Sequence, residues 1–142
     1  MPAWTPRQSI RAECQRRGKS AVVAGCIELL SGRAADPQLI FALGGGPARW
    51  AVEGGEPGPP YWLRVWAARG LLWAWSDEAL PSVLDALDDD AWRVREMALK
   101  VVARHRLDTA LPIITELRAD PNARVREAAE RAAQRLGGAA AV

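Results

Sequence analysis

Catalysis needs an activated nucleophile, an acid–base pair or a bound metal, and this chain carries few residues for any of them. His105 is the only histidine. It ends an apolar-periodic segment, where a cation near the last helical carbonyls is an ordinary capping residue. Structural zinc takes four Cys, His or acidic ligands, and Cys14 and Cys26 are neither paired at ligand spacing nor joined by a second histidine. Both cysteines fall at apolar helix positions and read as buried, reduced thiols. Gly44-Gly45-Gly46-Pro47 lacks the Lys-Ser/Thr that a phosphate-cradling loop requires. Asp88-Asp89-Asp90 lacks the alternating spacing and terminal Glu of a calcium loop and reads as a solvated turn. The expectation is therefore a non-enzyme with no catalytic residues, no metal and no small-molecule cofactor.

Recognition is better supplied. Trp62, Trp66, Arg69 and Trp73 stand at i, i+4, i+7 and i+11, which is one continuous helical face. A shift of 31 residues maps them onto Arg93, Met97, Lys100 and Arg104, and a second shift onto Arg124, Ala128, Arg131 and Arg135. An aromatic column followed by two basic columns is the composition of binding hot spots. The candidate face is thus Trp62, Trp66, Arg69, Trp73, Arg93, Lys100, Arg104, Arg124, Arg131 and Arg135. Arg49 and Trp50 are separate candidates in a long Gly/Pro-rich insertion, where Trp50 could instead fold back to cover the stack between the first two units. Two structural readings compete. The Trp column adjoins the apolar stripe Leu63, Ala67 and Leu71 and could fill the core. The basic columns have acids four residues earlier, Glu96 for Lys100 and Glu127 for Arg131, and such pairs stabilise an exposed helix by ~0.2–0.5 kcal/mol each.

The elements that must position these residues repeat. Trp92-Arg-Val-Arg-Glu-Met-Ala-Leu-Lys-Val-Val-Ala-Arg-His105 returns 31 residues later as Ala123-Arg-Val-Arg-Glu-Ala-Ala-Glu-Arg-Ala-Ala-Gln-Arg-Leu136. A fixed period of this size marks a stacked array, in which each unit buries its apolar face against its neighbours. In the same frame Leu63, Val94 and Val125 are followed by Ala67, Ala98 and Ala129, then by Leu71, Val102 and Ala133. Gly70, Val101 and Ala132 complete the stripe of this second helix of each unit, helix B. Leu80-Pro81 and Leu111-Pro112 open the preceding helix A, over about 79–88 and 109–118, with Pro in the first turn where its missing N–H has no partner. Asp89 and Asp120 precede each helix B as capping or turn residues. Asp36-Pro37-Gln38-Leu39-Ile40 is a further helix A, and Pro37 lies 44 residues before Pro81, so this unit carries a 13-residue insertion. The insertion falls within 44–60, a stretch with six Gly and four Pro. Pro6–Arg17 and Lys19–Leu30 form one more helical pair, with Thr5 as N-cap and Gly32 as terminator. The expectation is an all-α chain of about four helix pairs: 1–33, 36–75, 78–106 and 109–137, with a tail over 138–142.

The Val-Arg pair opening each helix B, the Ala four residues on and the Asp just before it resemble HEAT repeats, and the short period resembles the PBS-lyase (EZ) type. The resemblance covers 61–137 well, 36–43 less well and 1–33 weakly. It implies a right-handed α-solenoid whose B helices line the concave side. It also implies that Arg64, Arg95 and Arg126 join Asp89 and Asp120 in an inter-repeat ladder. The function implied is a non-catalytic interaction module that binds a protein partner on the concave face. The alternative is nucleic-acid binding through the same face, as in HEAT-like alkylpurine DNA glycosylases, which surround a catalytic Asp with Trp and basic residues. This chain departs from that pattern, since Asp77, the nearest Asp to the Trp62–Trp73 face, lies beyond the helix. A remote alternative, from repeat type alone, is a bilin lyase-related subunit.

Composition sets the remaining bounds. At 142 residues the chain is expected to form one domain with a sizeable core. The longest apolar stretch, Ala21–Ile27, is broken by Glu28, and the N-terminus lacks a signal-peptide pattern. A cytoplasmic protein with no membrane partner is expected. A net charge of +2 is too small to argue for nucleic acid by itself. Seven Trp against one Phe and one Tyr make Trp the bulky filler of this chain.

Overall fold

The computed structural model describes residues 4–137, and among these there are helices and no strands. The tail expected over 138–142 lies outside the described residues. The helices are α1 (Pro6–Arg17), α2 (Lys19–Leu30), α3 (Pro37–Gly44), α4 (Trp50–Glu53), α5 (Tyr61–Trp73), α6 (Leu80–Ala86), α7 (Trp92–His105), α8 (Leu111–Leu117) and α9 (Ala123–Gly137). They divide into two compact units, Met1–Ser82 and Val83–Val142, with the division inside α6.

Local chemistry explains the first unit's boundaries. Thr5 Oγ1 accepts from the Gln8 backbone N–H at 3.2 Å, and the Gln8 side chain accepts from the Thr5 N–H at 2.9 Å. This reciprocal capping box satisfies two of the orphan donors of α1. Gly18, at φ 93°, ends α1 and allows the chain to turn at once into α2. Asp36 caps α3 by accepting from the Gln38 N–H at 2.8 Å, directly before Pro37. That bond, and after it the nearby Arg17 guanidinium, hold the Asp36 carboxyl below its ordinary pKa. α1 packs on α3 and α2 on α5, so like helices of successive pairs stack. The contact is close. A Cβ on Gly70 would stand 2.6 Å from Leu43 Cδ2 and 2.8 Å from Cys26 Sγ, so only glycine lets α5 approach α2 and α3 this nearly. The insertion is structured in part. Gly46–Ala48 forms one 3-10 turn and α4 another short helical turn, both packed on α3, while 54–59 is exposed and irregular.

In the second unit α7 packs on α9, and α8 on α9. Val94, Ala98, Val101 and Val102 are fully buried, as are Val125, Ala129 and Ala132. The stripe loosens at two places: Ala133 and, in the first unit, Leu63 are only half-buried. Helix A is shorter than its periodic pattern. A 3-10 turn over Asp77–Ala79 precedes α6 and another over Asp108–Ala110 precedes α8, and each helix spans seven residues.

The turns before α7 and α9 repeat in atomic detail. Arg95 Nη1 donates to the carbonyls of Asp89 (2.7 Å) and Asp90 (3.1 Å), and Arg126 Nη1 donates to those of Asp120 (2.7 Å) and Pro121 (3.0 Å). Asp89 and Asp120 accept from the N–H groups of Ala91 and Asn122, each at 2.9 Å. Each Asp therefore shapes the turn rather than capping the helix directly. Arg95 also reaches the next repeat, with Nε 2.9 Å from Asp120 Oδ2 and Nη2 3.2 Å from Oδ1.

Candidate functional site

The α5 part of the candidate face is mostly packing. Trp66 is 6% exposed. Its indole lies where a Cβ on Gly44 would come within 2.7 Å of it, so it fills the space between α3 and α5. Half-buried Trp62 stacks on it with ring centroids 6.3 Å apart, and Tyr61 lies 5.3 Å from Trp62. Trp73 is half-buried beneath the Arg7 guanidinium, 5.1 Å from its ring centroid. Arg69 turns toward the C-terminal end of α3, where Nη2 donates to the Leu43 carbonyl at 2.5 Å. Its Nε is enclosed without a partner, and burial lowers its pKa. For Trp66 the core-filling reading applies, and that indole presents almost no surface to a partner. In the insertion, Arg49 is exposed, 3.9 Å from Glu53, and Trp50 is half-buried.

The second unit separates its six candidates into two groups. Arg93 lies over the Trp92 ring at 4.4 Å and Arg124 over the same ring at 5.4 Å. Arg124 Nε also donates to Glu96 Oε2 at 3.0 Å. This cluster ties α7 to α9, and it corrects one expectation. Glu96 does not serve Lys100, because it sits on the buried side of α7, 7% exposed, where the neighbouring helix supplies Arg124. Nor does Glu127 pair with Arg131.

The second group converges. Lys100 and Arg104 of α7 and Arg131 and Arg135 of α9, all exposed, line one shallow groove of about 300 Å³. Its floor is apolar and small-featured: Leu99, Ala103 and Ala128. Among the described residues, Lys100, Arg131 and Arg135 have no carboxylate within ion-pairing distance. The groove thus sets four cations around an apolar floor. They offer no nucleophile or general base. Among the described residues there is also no group of three or more His, Cys, Asp or Glu that could hold a metal. His105 ends α7 as expected, followed by Arg106 in the left-handed region at φ 51°.

Sequence reasoning overlooked a network in the first unit. Glu13, 6% exposed, accepts from Arg16 (2.6 Å) and Arg17 (2.5 Å), and Arg17 also reaches Asp36 at 3.2 Å. Burial alone would lower the Arg17 pKa, but its bonds to Glu13 and Asp36 outweigh this and raise it. The Glu13–Arg16 and Glu13–Arg17 spacings of three and four on one helix were the available signal.

Comparison with known proteins gives one positive result: the family model for HEAT repeats matches residues 56–134. No curated protein and no solved structure matches the chain. Among the described residues, no helix is long and apolar enough to cross a membrane.

Proposed function

Because the chain belongs to the HEAT-repeat family, we propose that it is a non-catalytic interaction module whose partner is a protein bound at the α7–α9 groove. One observation carries this reading: Lys100, Arg104, Arg131 and Arg135 converge on an apolar floor, and among the described residues three of them, Lys100, Arg131 and Arg135, form no ion pair. Like charges gathered this way repel one another and oppose folding unless a partner brings the opposite sign. The fitting occupant is an acidic segment with small or aliphatic side chains for the Leu99–Ala103–Ala128 floor. Arg93 and Arg124 contribute indirectly, by fixing α7 against α9 through Trp92 and Glu96.

The protein reading is favoured over nucleic acid by the local character of the charge: four cations on one groove in a chain of net charge +2. The test compares acidic, leucine-containing peptides with a single-stranded oligonucleotide of equal charge. Wild type should retain the peptides, and Lys100→Glu and Arg131→Glu should each weaken them by about tenfold or more while leaving the helical spectrum unchanged. Oligonucleotide binding with a log–log salt slope of about −3, the value for four phosphate contacts on a single strand, would replace this reading if the peptides failed to bind.

A further inference from the structure

A second site lies wholly within the first unit and is independent of the α7–α9 groove. α1, the C-terminal end of α3, the following turn and Arg69 of α5 enclose a cavity of about 690 Å³. Its frame is fixed by two side chains that satisfy orphan carbonyls of α3. Ser9 Oγ donates to the Ala42 carbonyl at 2.7 Å and Arg69 Nη2 to that of Leu43 at 2.5 Å. Gly45, at φ 68°, then turns the chain so that Gly46 and Pro47 form part of the wall. The volume is in the range of pockets that hold small organic ligands, roughly 300–1,000 Å³.

The charges that line this cavity are Glu13, Arg16, Arg49 and Arg69. Glu13 is shared by Arg16 and Arg17, and Arg17 is shared with Asp36, so this group of two acids and two bases is neutral. Arg49 has Glu53 at 3.9 Å. Arg69 has no carboxylate partner among the described residues; its Nη2 donates to one carbonyl, and its Nε is enclosed without a partner. A guanidinium stays charged in proteins and presents five donors. Partly desolvated charges are ordinarily paired. Capping α3 accounts for one of those donors. It explains neither the unbalanced charge nor the space beside it. The remaining wall is largely apolar, with Trp4, Ala12, Phe41, Leu43 and Pro47, and the cavity opens to solvent along Trp4, Gln38, Gly46 and Arg49.

We propose that this cavity binds a small monocarboxylate with an apolar body, its carboxylate held by Arg69 and its hydrocarbon or aromatic part covered by Trp4, Phe41 and Pro47. One uncompensated cation calls for one negative charge. The other charges on the wall, Glu13, Arg16 and Arg49, already have partners of opposite sign.

The test uses the full chain with phenylacetate and hexanoate as probes, and phenylacetamide as the neutral isostere, by calorimetry and by shifts of indole N–H resonances. Wild type should bind phenylacetate saturably and about tenfold or more tighter than phenylacetamide. Arg69→Gln should bring that ratio close to one. Because Arg69→Gln also removes the bond to Leu43 and could unfold α3, Ala12→Trp provides a second reading. It fills the cavity, leaves Arg69 intact, and should abolish binding of both probes with the helical spectrum retained. Equal affinity for acid and amide in wild type, unaltered binding in Ala12→Trp, or no saturable binding at about 10 mM probe would each overturn the proposal.

Discussion

Two arginine–carboxylate pairs in the second unit share a geometry and differ in burial. Arg95 meets Asp120 at 2.9 and 3.2 Å, and Arg118 meets Glu130 at 2.9 and 3.3 Å, each through Nε and Nη2. The side chains of the first pair are 16% and 5% exposed and those of the second 50% and 47%. If distance governed, the two would contribute equally. Burial should govern instead. Opposite charges about 4 Å apart attract by about 1 kcal/mol in water and about 4 kcal/mol at the effective dielectric of a partly buried site. Removing one partner of a buried pair also strands the other, at a total cost of about 3–5 kcal/mol. Asp120→Ala strands Arg95 and takes the acceptor from the Asn122 N–H, so it should destabilise the chain by about that amount. Glu130→Ala should cost less than about 1 kcal/mol. Arg95 also donates to the carbonyls of Asp89 and Asp90, so single variants mix several losses. A double-mutant cycle with Arg95→Ala and Asp120→Ala isolates the pair, and urea unfolding followed by circular dichroism supplies the free energies. The expected coupling is about 2–3 kcal/mol for Arg95–Asp120 and about 0.5 kcal/mol for Arg118–Glu130. At about 1 M salt, where screening acts over about 3 Å, only the first should survive. Equal couplings, or loss of both in salt, would refute the reasoning.

Two further perturbations read the first unit. Burial, and after it the neighbouring Cys14, push the Cys26 thiol up from its usual value near 9 to about 12. Between these values the unfolded chain ionises while the folded thiol keeps its proton, so unfolding releases a proton and stability falls as pH rises. The Cys26 contribution is fully present below pH 9 and is lost toward pH 12, with a slope approaching about 1.4 kcal/mol per pH unit. Cys26→Ser should remove that slope from unfolding free energies measured above pH 9; an unchanged slope would assign the alkaline loss elsewhere. Gly44→Ala would bring a Cβ to 2.5 Å from that of Ala48 and to 2.7 Å from two atoms of the rigid Trp66 indole. Overpacking should outweigh any gain in helix propensity and lower stability by about 1–2 kcal/mol. A variant as stable as wild type would mean that Trp66 is loosely seated.

How much of this was legible in the sequence depended on whether the deciding contact was local. The start of α1 and the end of α2 follow from Thr5 and Gly32, which act within a few residues of themselves, and Pro6–Arg17 and Lys19–Leu30 are the observed spans. Arg95 and Arg126 were legible as structural because they echo in the 31-residue frame, and both fold back onto the turn before their own helix. The split among the basic residues was not legible. Glu96 precedes Lys100 by one helical turn, but Arg124 reaches it from 28 residues away. The cavity was hidden for the same reason, since Arg69 meets Leu43 across 26 residues.

The repeat frame also shows why one register yields different chemistry in the two units. Arg69, Lys100 and Arg131 are equivalent under the 31-residue shift, as are Trp73, Arg104 and Arg135. In the second unit these positions point their cations to solvent along α7 and α9, and the groove charge follows directly from register. In the first unit α3 ends at Gly44 within reach of Arg69, and the last carbonyls of a helix lack intrahelical donors. The Leu43 carbonyl draws the Arg69 guanidinium inward, while Trp73 is covered by Arg7. Register fixes where a side chain starts, and the nearest unsatisfied group decides where its charge ends. A Lys at position 69 would have only one nitrogen to divide between that carbonyl and a carboxylate, whereas Arg69 keeps Nη1 beside the Nη2 that caps α3. Arg69 is thereby the position where structural capping and recognition compete for one guanidinium.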